Sequence, residues 1–256
     1  MFRIATWNVN SLRIRLPHVL KWLENVQPDV LALQETKLTD DNFPEDEFHA
    51  AGYQAAYAGQ KTYNGVATLS KTSAKNIITD MPDYADPQRR VLCTDFDDLT
   101  VLNVYVPNGS EVGSNKYVYK LEWFSHLHTY IRELLTINHH VIILGDFNIA
   151  PEDRDVHDPE EWKGNVLVSE PERAEFRQLL SLGLKDSFRL FEQEAGSYSW
   201  WDYRAASFRR NRGLRIDHIL VSTALAEKCL SCRIDKNPRS LERPSDHVPV
   251  IAEFNL

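Results

Sequence analysis

The run Val141-Ile142-Ile143-Leu144 stops abruptly at Gly145-Asp146-Phe147-Asn148, and no other junction constrains the fold as much. A short apolar run rich in β-branched residues reads as a strand covered on both faces, and the polar cluster beyond it as the loop at the strand's end. Such loops are where open α/β folds place their ligand crevices. Asp146 and Asn148 stand two apart, so continued extended geometry points both side chains the same way. The arrangement recurs after Phe2-Arg3-Ile4-Ala5-Thr6, in Trp7-Asn8-Val9-Asn10, and is reversed where Ser245-Asp246-His247 precedes Val248-Pro249-Val250-Ile251. Glu35 closes the strand-like Val30-Leu31-Ala32-Leu33-Gln34. Oxygen and nitrogen donors therefore gather at strand ends from across the chain, and their types suit Mg²⁺-assisted attack on a phosphodiester.

Strand patterns are expected near 2–7, 29–34, 64–69, 89–96, 99–106, 141–146, 197–203, 215–222 and 247–254. Helical periodicity covers 12–26, with Leu16, Val19, Leu20 and Leu23 on one face and Pro17 near the start. It returns over 116–137, with Leu121, Phe124, Leu127, Ile131, Leu134 and Leu135, and over 172–182, with Phe176, Leu179 and Leu180 after the cap residues Ser169 and Pro171. Many strands in hairpin-like succession with few long helices predict two packed sheets, mixed or antiparallel, with helices outside. The echo between the Asn8 and Asp146 clusters suggests internal duplication. The 256 residues carry no Pro/Gly/Ser-rich or strongly charged linker, so one domain over 1–256 is expected.

The start Met1-Phe2-Arg3-Ile4-Ala5-Thr6-Trp7-Asn8 turns polar too early for a signal peptide, and no run approaches the roughly 20 apolar residues of a membrane span. A cytoplasmic enzyme with no membrane partner is the expectation. Cys93, Cys229 and Cys232 are too few and too unevenly placed for a disulfide framework. Cys229 and Cys232 form a lone CxxC after the short helical stretch 224–228, and ordinary reduced thiols are favoured over a zinc or redox role.

The formal net charge of −8 argues against a nucleic-acid partner, which rewards a basic surface. The arginines, however, are clustered. Arg204, Arg209, Arg210, Arg212 and Arg215 interleave with Tyr203 and Phe208 behind Trp200-Trp201, and a phosphate backbone responds to fields within a Debye length of about 8 Å. A solvated basic face is the plainer alternative.

Trp7-Asn8-Val9-Asn10, Leu33-Gln34-Glu35-Thr36-Lys37, Tyr105-Val106-Pro107-Asn108-Gly109, Gly145-Asp146-Phe147-Asn148-Ile149-Ala150-Pro151, Trp201-Asp202-Tyr203-Arg204, Arg212-Gly213-Leu214-Arg215-Ile216-Asp217 and Pro244-Ser245-Asp246-His247 follow one another in order. In this the chain resembles the exonuclease III family of DNA-repair nucleases, within the endonuclease/exonuclease/phosphatase superfamily. The resemblance implies a four-layered α/β sandwich, two mixed β-sheets packed face to face with helices outside and the active site at one end. It also implies Mg²⁺- or Mn²⁺-dependent hydrolysis of duplex DNA. The expected activities are 3′→5′ exonuclease, 3′-end phosphatase or phosphodiesterase, and endonuclease at abasic sites; a monomer suffices for this chemistry. The alternatives are a superfamily phosphoesterase acting on a phospholipid or inositol phosphate, and a non-catalytic DNA-binding module.

Glu35 is the expected principal metal ligand, with Asn8, Asp146, Asn148, Asp246 and His247 around the ion. By the resemblance, Asp146 deprotonates the attacking water, Asn148 holds phosphate or water beside it, and His247, oriented by Asp217, contacts the phosphate. Asp246 assists the leaving group, and Tyr105 and Asn108 hydrogen-bond the phosphate. Asn10 and Arg204 are expected to bind substrate, although Asn10 also reads as a helix-capping turn residue. Asp217 sits in an apolar strand, where a carboxylate without a partner is costly and a histidine supplies one. His218 reads as structural and Trp201 as core. Trp200, Leu214 and Ile216 correspond to the apolar pocket that receives an extruded abasic sugar, with simple core packing as the alternative. The chain departs from the pattern at Leu167-Val168-Ser169-Glu170-Pro171, where relatives active at abasic sites carry a small residue and then Phe. A bulky Leu167 at the pocket rim is expected to disfavour an internal flipped-out sugar while leaving 3′ ends accessible.

Overall fold

The computed structural model describes residues 1–256. Twelve strands form two six-stranded sheets. The first contains β1 (Phe2–Asn8), β2 (Val30–Gln34), β3 (Gln54–Ala58), β4 (Val66–Ser70), β11 (Cys229–Ile234) and β12 (Val250–Phe254), in the order β11-β12-β1-β2-β4-β3. The second contains β5 (Asn76–Ile78), β6 (Val91–Phe96), β7 (Leu99–Tyr105), β8 (Val141–Asp146), β9 (Leu184–Asp186) and β10 (Asp217–Ser222), in the order β5-β6-β7-β8-β10-β9. The longer helices are α1 (Leu12–Val26), α3 (Asn115–Ile137) and α5 (Glu170–Ser181); α2 (Glu45–Ala50), α4 (Pro159–Trp162) and α6 (Thr223–Ala226) are short.

Strand alternation builds the layers. Ile4, Ala32, Ile142, Leu144, Ile219, Val221 and Ala252 come from both sheets and form one core between them. The opposite faces of the same strands turn outward. Val141 and Ile143 pack with Phe124, Ile131, Phe176 and Leu179 under α3 and α5, while Ala5, Trp7, Leu31 and Leu33 pack with Val19, Leu23 and Phe48 under α1 and α2. β8 is thus covered on both faces, which is why its sequence shows no polar alternation. The result is the expected four-layered sandwich with two mixed sheets.

The two sheets are also tied by amides. Gln34 Nε2 donates to Asn103 Oδ1 at 2.8 Å, and Asn103 Nδ2 donates to the Leu33 carbonyl at 3.1 Å and the Ala67 carbonyl at 2.9 Å, all buried. Asn103 belongs to the second sheet and its partners to the first.

The internal echo is one of position in the sheet, not of chain order. β1 and β8 each lie between one parallel and one antiparallel neighbour. The parallel neighbour of β1 follows it in the chain, whereas that of β8 precedes it.

Several sequence expectations shift. Residues 197–203 form no strand: Trp200 makes isolated bridges to Leu214 and His247, and the segment is a loop laced between them. β3, β5, β9 and β11 lie outside the strand patterns of the sequence. α1 has the expected bounds, Leu12–Val26, with Pro17 in its second turn instead of at its start. The buried face of α3 is turned so that Tyr117, Lys120 and Trp123 point inward while Leu121 and Leu135 are only partly covered.

Candidate active site

The two polar loops use the same local device. At the end of β1 the Asn10 N–H donates to Asn8 Oδ1 at 2.9 Å, and at the end of β8 the Asn148 N–H donates to Asp146 Oδ1 at 2.9 Å. In each, the second residue enters the left-handed region, Asn10 at φ 42° and Asn148 at φ 50°. The extended geometry expected for Asp146 and Asn148 therefore does not persist; a side-chain turn brings them together instead, with Asn148 Nδ2 3.3 Å from Asp146 Oδ2. Glu35 (φ 52°), Lys37 (φ 55°) and Leu167 (φ 75°) also adopt left-handed backbone. Non-glycine residues rarely do so, and at these positions the surrounding contacts hold the backbone in place. Gly145 permits the approach of β8 to β7, because a Cβ there would lie 1.8 Å from the Val104 carbonyl oxygen.

Asp146 and Asp217 face each other in register on β8 and β10. His247, just ahead of β12, lies between them, with Nδ1 2.9 Å from Asp217 Oδ2 and Nε2 3.7 Å from Asp146 Oδ2. Ligand atoms of these three buried groups all lie within 4.8 Å of one another, close enough to share a divalent ion. Ser199 Oγ donates to Asp217 Oδ2 at 2.6 Å and accepts the N–H groups of Ile216 and Asp217. Burial opposes charge on His247, but the carboxylates of Asp217 and then Asp146 outweigh it and raise the imidazole well above its ordinary value. Burial raises the Asp146 carboxyl, against the opposing pull of His247.

On the first sheet, the Asn8 amide nitrogen donates to both Glu35 Oε1 and Asp146 Oδ2, each at 2.9 Å. Lys37 Nζ lies 2.9 Å from Glu35 Oε2 and 2.6 Å from Asn10 Oδ1. Asn10 Nδ2 donates to Asp246 Oδ1 at 2.9 Å, and Trp200 Nε1 donates to Asp246 Oδ2 at 3.0 Å. Although burial works to raise it, Asp246 is held below the usual carboxylate range by the His247 charge and by these two donors. Asn108 Nδ2 donates to Asn148 Oδ1 at 3.0 Å. Tyr105 ends β7 opposite Asp146. Burial, followed by the Glu35 and Asp146 carboxylates, raises its phenol well above the ordinary value.

A small apolar cluster adjoins these groups: Ala150, Val156, Leu167, Val168, Leu214 and Ile216, with Trp162, Val166 and Trp200 packed against it. Leu167 is 4% exposed and belongs to the same apolar cluster as Leu214 and Ile216, against which Trp200 packs.

A model of the endonuclease/exonuclease/phosphatase family matches residues 5–247. The chain belongs to that family. It is 40% identical to exodeoxyribonuclease III of Haemophilus influenzae over 98% of this chain and 99% of that protein. Among solved structures, the 3′ phosphatase NExo from Neisseria, bound to a product DNA hairpin, superposes with a TM-score of 0.98 at 46% identity over the full length of both chains. An AP endonuclease from Archaeoglobus fulgidus superposes with a TM-score of 0.96 at 37% identity, again over both full lengths.

Other expected residues lie apart from this polar cluster. Arg204 points to solvent and pairs with Asp202 at 2.6 Å. Arg212 is engaged by Glu161, and Arg215 is fully buried between Asp155 and Asp186, so the arginine string is not one basic surface. Trp201 is core, beside Tyr198 and Val248. His218 is buried against Arg215 Nη1 and the Ile149 carbonyl. Cys229 and Cys232 lie on β11, just after the short helix α6 as expected, and burial pushes their thiols up to about 11 and about 12, which disfavours a thiolate metal site. Sequence reasoning missed Ser199, Lys120 and Glu172. Nothing about a serine ahead of two tryptophans signals a carboxylate partner 18 residues on. No helix is long and apolar enough to cross a membrane.

Proposed function

We propose that this chain is a metal-dependent DNA-repair nuclease that processes 3′ ends of duplex DNA. Its activities are those of a 3′→5′ exodeoxyribonuclease and a 3′-phosphatase or phosphodiesterase, with Mg²⁺ or Mn²⁺. The observation that carries the reading is the buried Asp146–His247–Asp217 alignment, which joins a proton acceptor to a held cation at the meeting point of both sheets. The names of the relatives support the substrate class.

Asp146, raised by burial, is suited to take a proton from an attacking water. His247, kept protonated by Asp217, donates to a phosphoryl oxygen and offsets its charge. Asn148 and Asn108 supply amide donors beside it. Tyr105 stays protonated and so remains a donor for the departing oxygen, whereas Asp246 stays ionised and is poorly suited to that task. The donor set fits a hard divalent cation that keeps most of its waters: Glu35 would hold it, with Asn8 and Asp146 beside it. His247 Nδ1 is engaged by Asp217, and we assign its Nε2 to the phosphate. When bound, the cation supplies charge neutralisation on the phosphoryl oxygens and lowers the pKa of a bound water.

Leu167 is buried in the apolar cluster with Leu214 and Ile216, and we assign it the role of disfavouring internal abasic sugars. The enzyme works where duplex DNA is found, and its free thiols fit a reducing compartment. The test uses end-labelled duplexes in Mg²⁺, one with a recessed 3′ end and one with a central abasic analogue. Stepwise 3′ shortening by the wild type, abolished in Asp146→Asn, is expected; no cleavage of either duplex would overturn the reading in favour of another phosphoester substrate.

A further inference from the structure

α3 and α5 meet over the second sheet through an ion pair sealed from solvent. Lys120 Nζ and Glu172 Oε1 are 2.5 Å apart and both side chains are 0% exposed. Such a pair is a poor source of stability, because desolvation consumes most of the coulombic gain, and a well-packed apolar pair often serves better. Its other hydrogen bonds show what it holds.

The Lys120 ammonium donates to the Asn148 carbonyl at 2.7 Å and the Asn108 carbonyl at 3.2 Å. The Glu172 carboxylate accepts the Leu167 N–H at 3.0 Å on Oε1, and the Ser169 N–H at 3.1 Å and Ser169 Oγ at 2.5 Å on Oε2. One end of the pair therefore grips the two amide residues beside Asp146, and the other grips Leu167 of the apolar cluster. The ring is closed independently by the Ala150 N–H, which donates to the Leu167 carbonyl at 2.8 Å. The approach is tight: a Cβ on Gly109, next to Asn108, would sit 3.3 Å from Lys120 Cδ and 3.1 Å from Val166 Cγ2. No apolar pair of the same volume satisfies two loop carbonyls and two loop amides at once.

We infer that Lys120 and Glu172 are positioning residues that lock the Asn108–Asn148 amide pair and the Leu167 pocket rim into one unit, so that phosphate grip and pocket closure are set together. The inference rests on the nuclease reading for its kinetic consequence, but not for its structural one.

The test compares the wild type with Lys120→Met/Glu172→Gln, which removes both charges together, and with Glu172→Gln alone should the double variant not fold. Amide hydrogen exchange is followed on peptides covering 148–150 and 167–169. Protection is expected to fall by about tenfold or more at both segments together while β8 and β10 keep theirs. In steady-state removal of a 3′-phosphate, kcat is expected to fall by roughly 10- to 100-fold with KM changed by less than about threefold. Asn148→Ala is expected to cost less in the variant background than in the wild type, the mark of coupled residues. Exchange that rises at one segment without the other, or an Asn148→Ala penalty equal in both backgrounds, would overturn the inference. A wild type silent on DNA would overturn the nuclease reading, and the exchange data would still judge the coupling.

Discussion

The indole Nε1–H of Trp200 donates to Asp246 Oδ2 at 3.0 Å, so one wall of the apolar pocket is bonded to a carboxylate of the polar cluster. Trp200→Phe keeps the wall and removes the donor. A hydrogen bond to a charged group is worth about 1.5–3 kcal/mol, so Trp200→Phe is expected to lower Tm by several degrees and, with Asp246 no longer held, to lower kcat/KM on a recessed 3′ end by roughly tenfold. An unchanged kcat/KM would remove Asp246 from the reaction.

At Leu167 two effects oppose each other. Losing a buried leucine side chain costs about 2–5 kcal/mol, while glycine relieves a left-handed backbone that costs roughly 1–2 kcal/mol. Packing wins, so Leu167→Gly is expected to lower Tm. The same variant is expected to gain or raise incision at a central abasic analogue, measured against 3′ shortening in one preparation; a fall in both activities would place Leu167 in core packing alone.

Glu35 is the assigned seat of the cation. Glu35→Gln is expected to raise the Mg²⁺ concentration giving half-maximal activity by at least about tenfold, and titration of Mn²⁺ into the apoprotein by calorimetry is expected to show the same weakening. Equal metal affinity in both proteins would move the seat to the Asp146–Asp217 cluster.

Arg204 is exposed and paired only with Asp202. If it meets the DNA backbone, Arg204→Ala leaves Tm unchanged, raises KM and reduces the salt dependence of binding by about one unit of slope. An unchanged slope assigns it to the solvated surface.

Burial, and then the Arg215 guanidinium, pull His218 down to about 4. Its folded value lies below the ordinary 6.5, so the unfolded chain takes up the proton first. Its contribution, on the order of 3 kcal/mol, is full above about pH 6.5 and lost as pH falls toward 4. His247 acts in the opposite sense, its contribution full below 6.5 and lost as pH rises toward about 10. Urea unfolding of His218→Gln between pH 4 and 6.5 is expected to show a flatter dependence than the wild type; parallel curves would show that His218 is not neutral in the fold.

What the sequence revealed follows from burial. β8 and β2 lie under cover on both faces, so their apolar runs stand out and the polar residues that end them are conspicuous. β5, β9 and β11 are edge strands, two of them three residues long, and carry no such run. The 197–203 segment looked like a strand because Tyr198, Trp200 and Trp201 are aromatic, but Trp200 serves two partners at once and leaves no ladder to extend. Lys120 was hidden because a lysine on an amphipathic helix is read as solvent-facing. Only the fold shows that its stripe is the inner one.

The Gln34–Asn103 contact has a mechanical consequence. Glu35 and Asn8 ride on one sheet, Asp146 and Asp217 on the other, so any sliding of the layers would pull the reacting groups out of alignment. A buried amide that crosses the interface one residue before Glu35 acts as a dowel pin against that shear. Each half of the site is thereby indexed to the other through a contact that lies outside the chemistry itself.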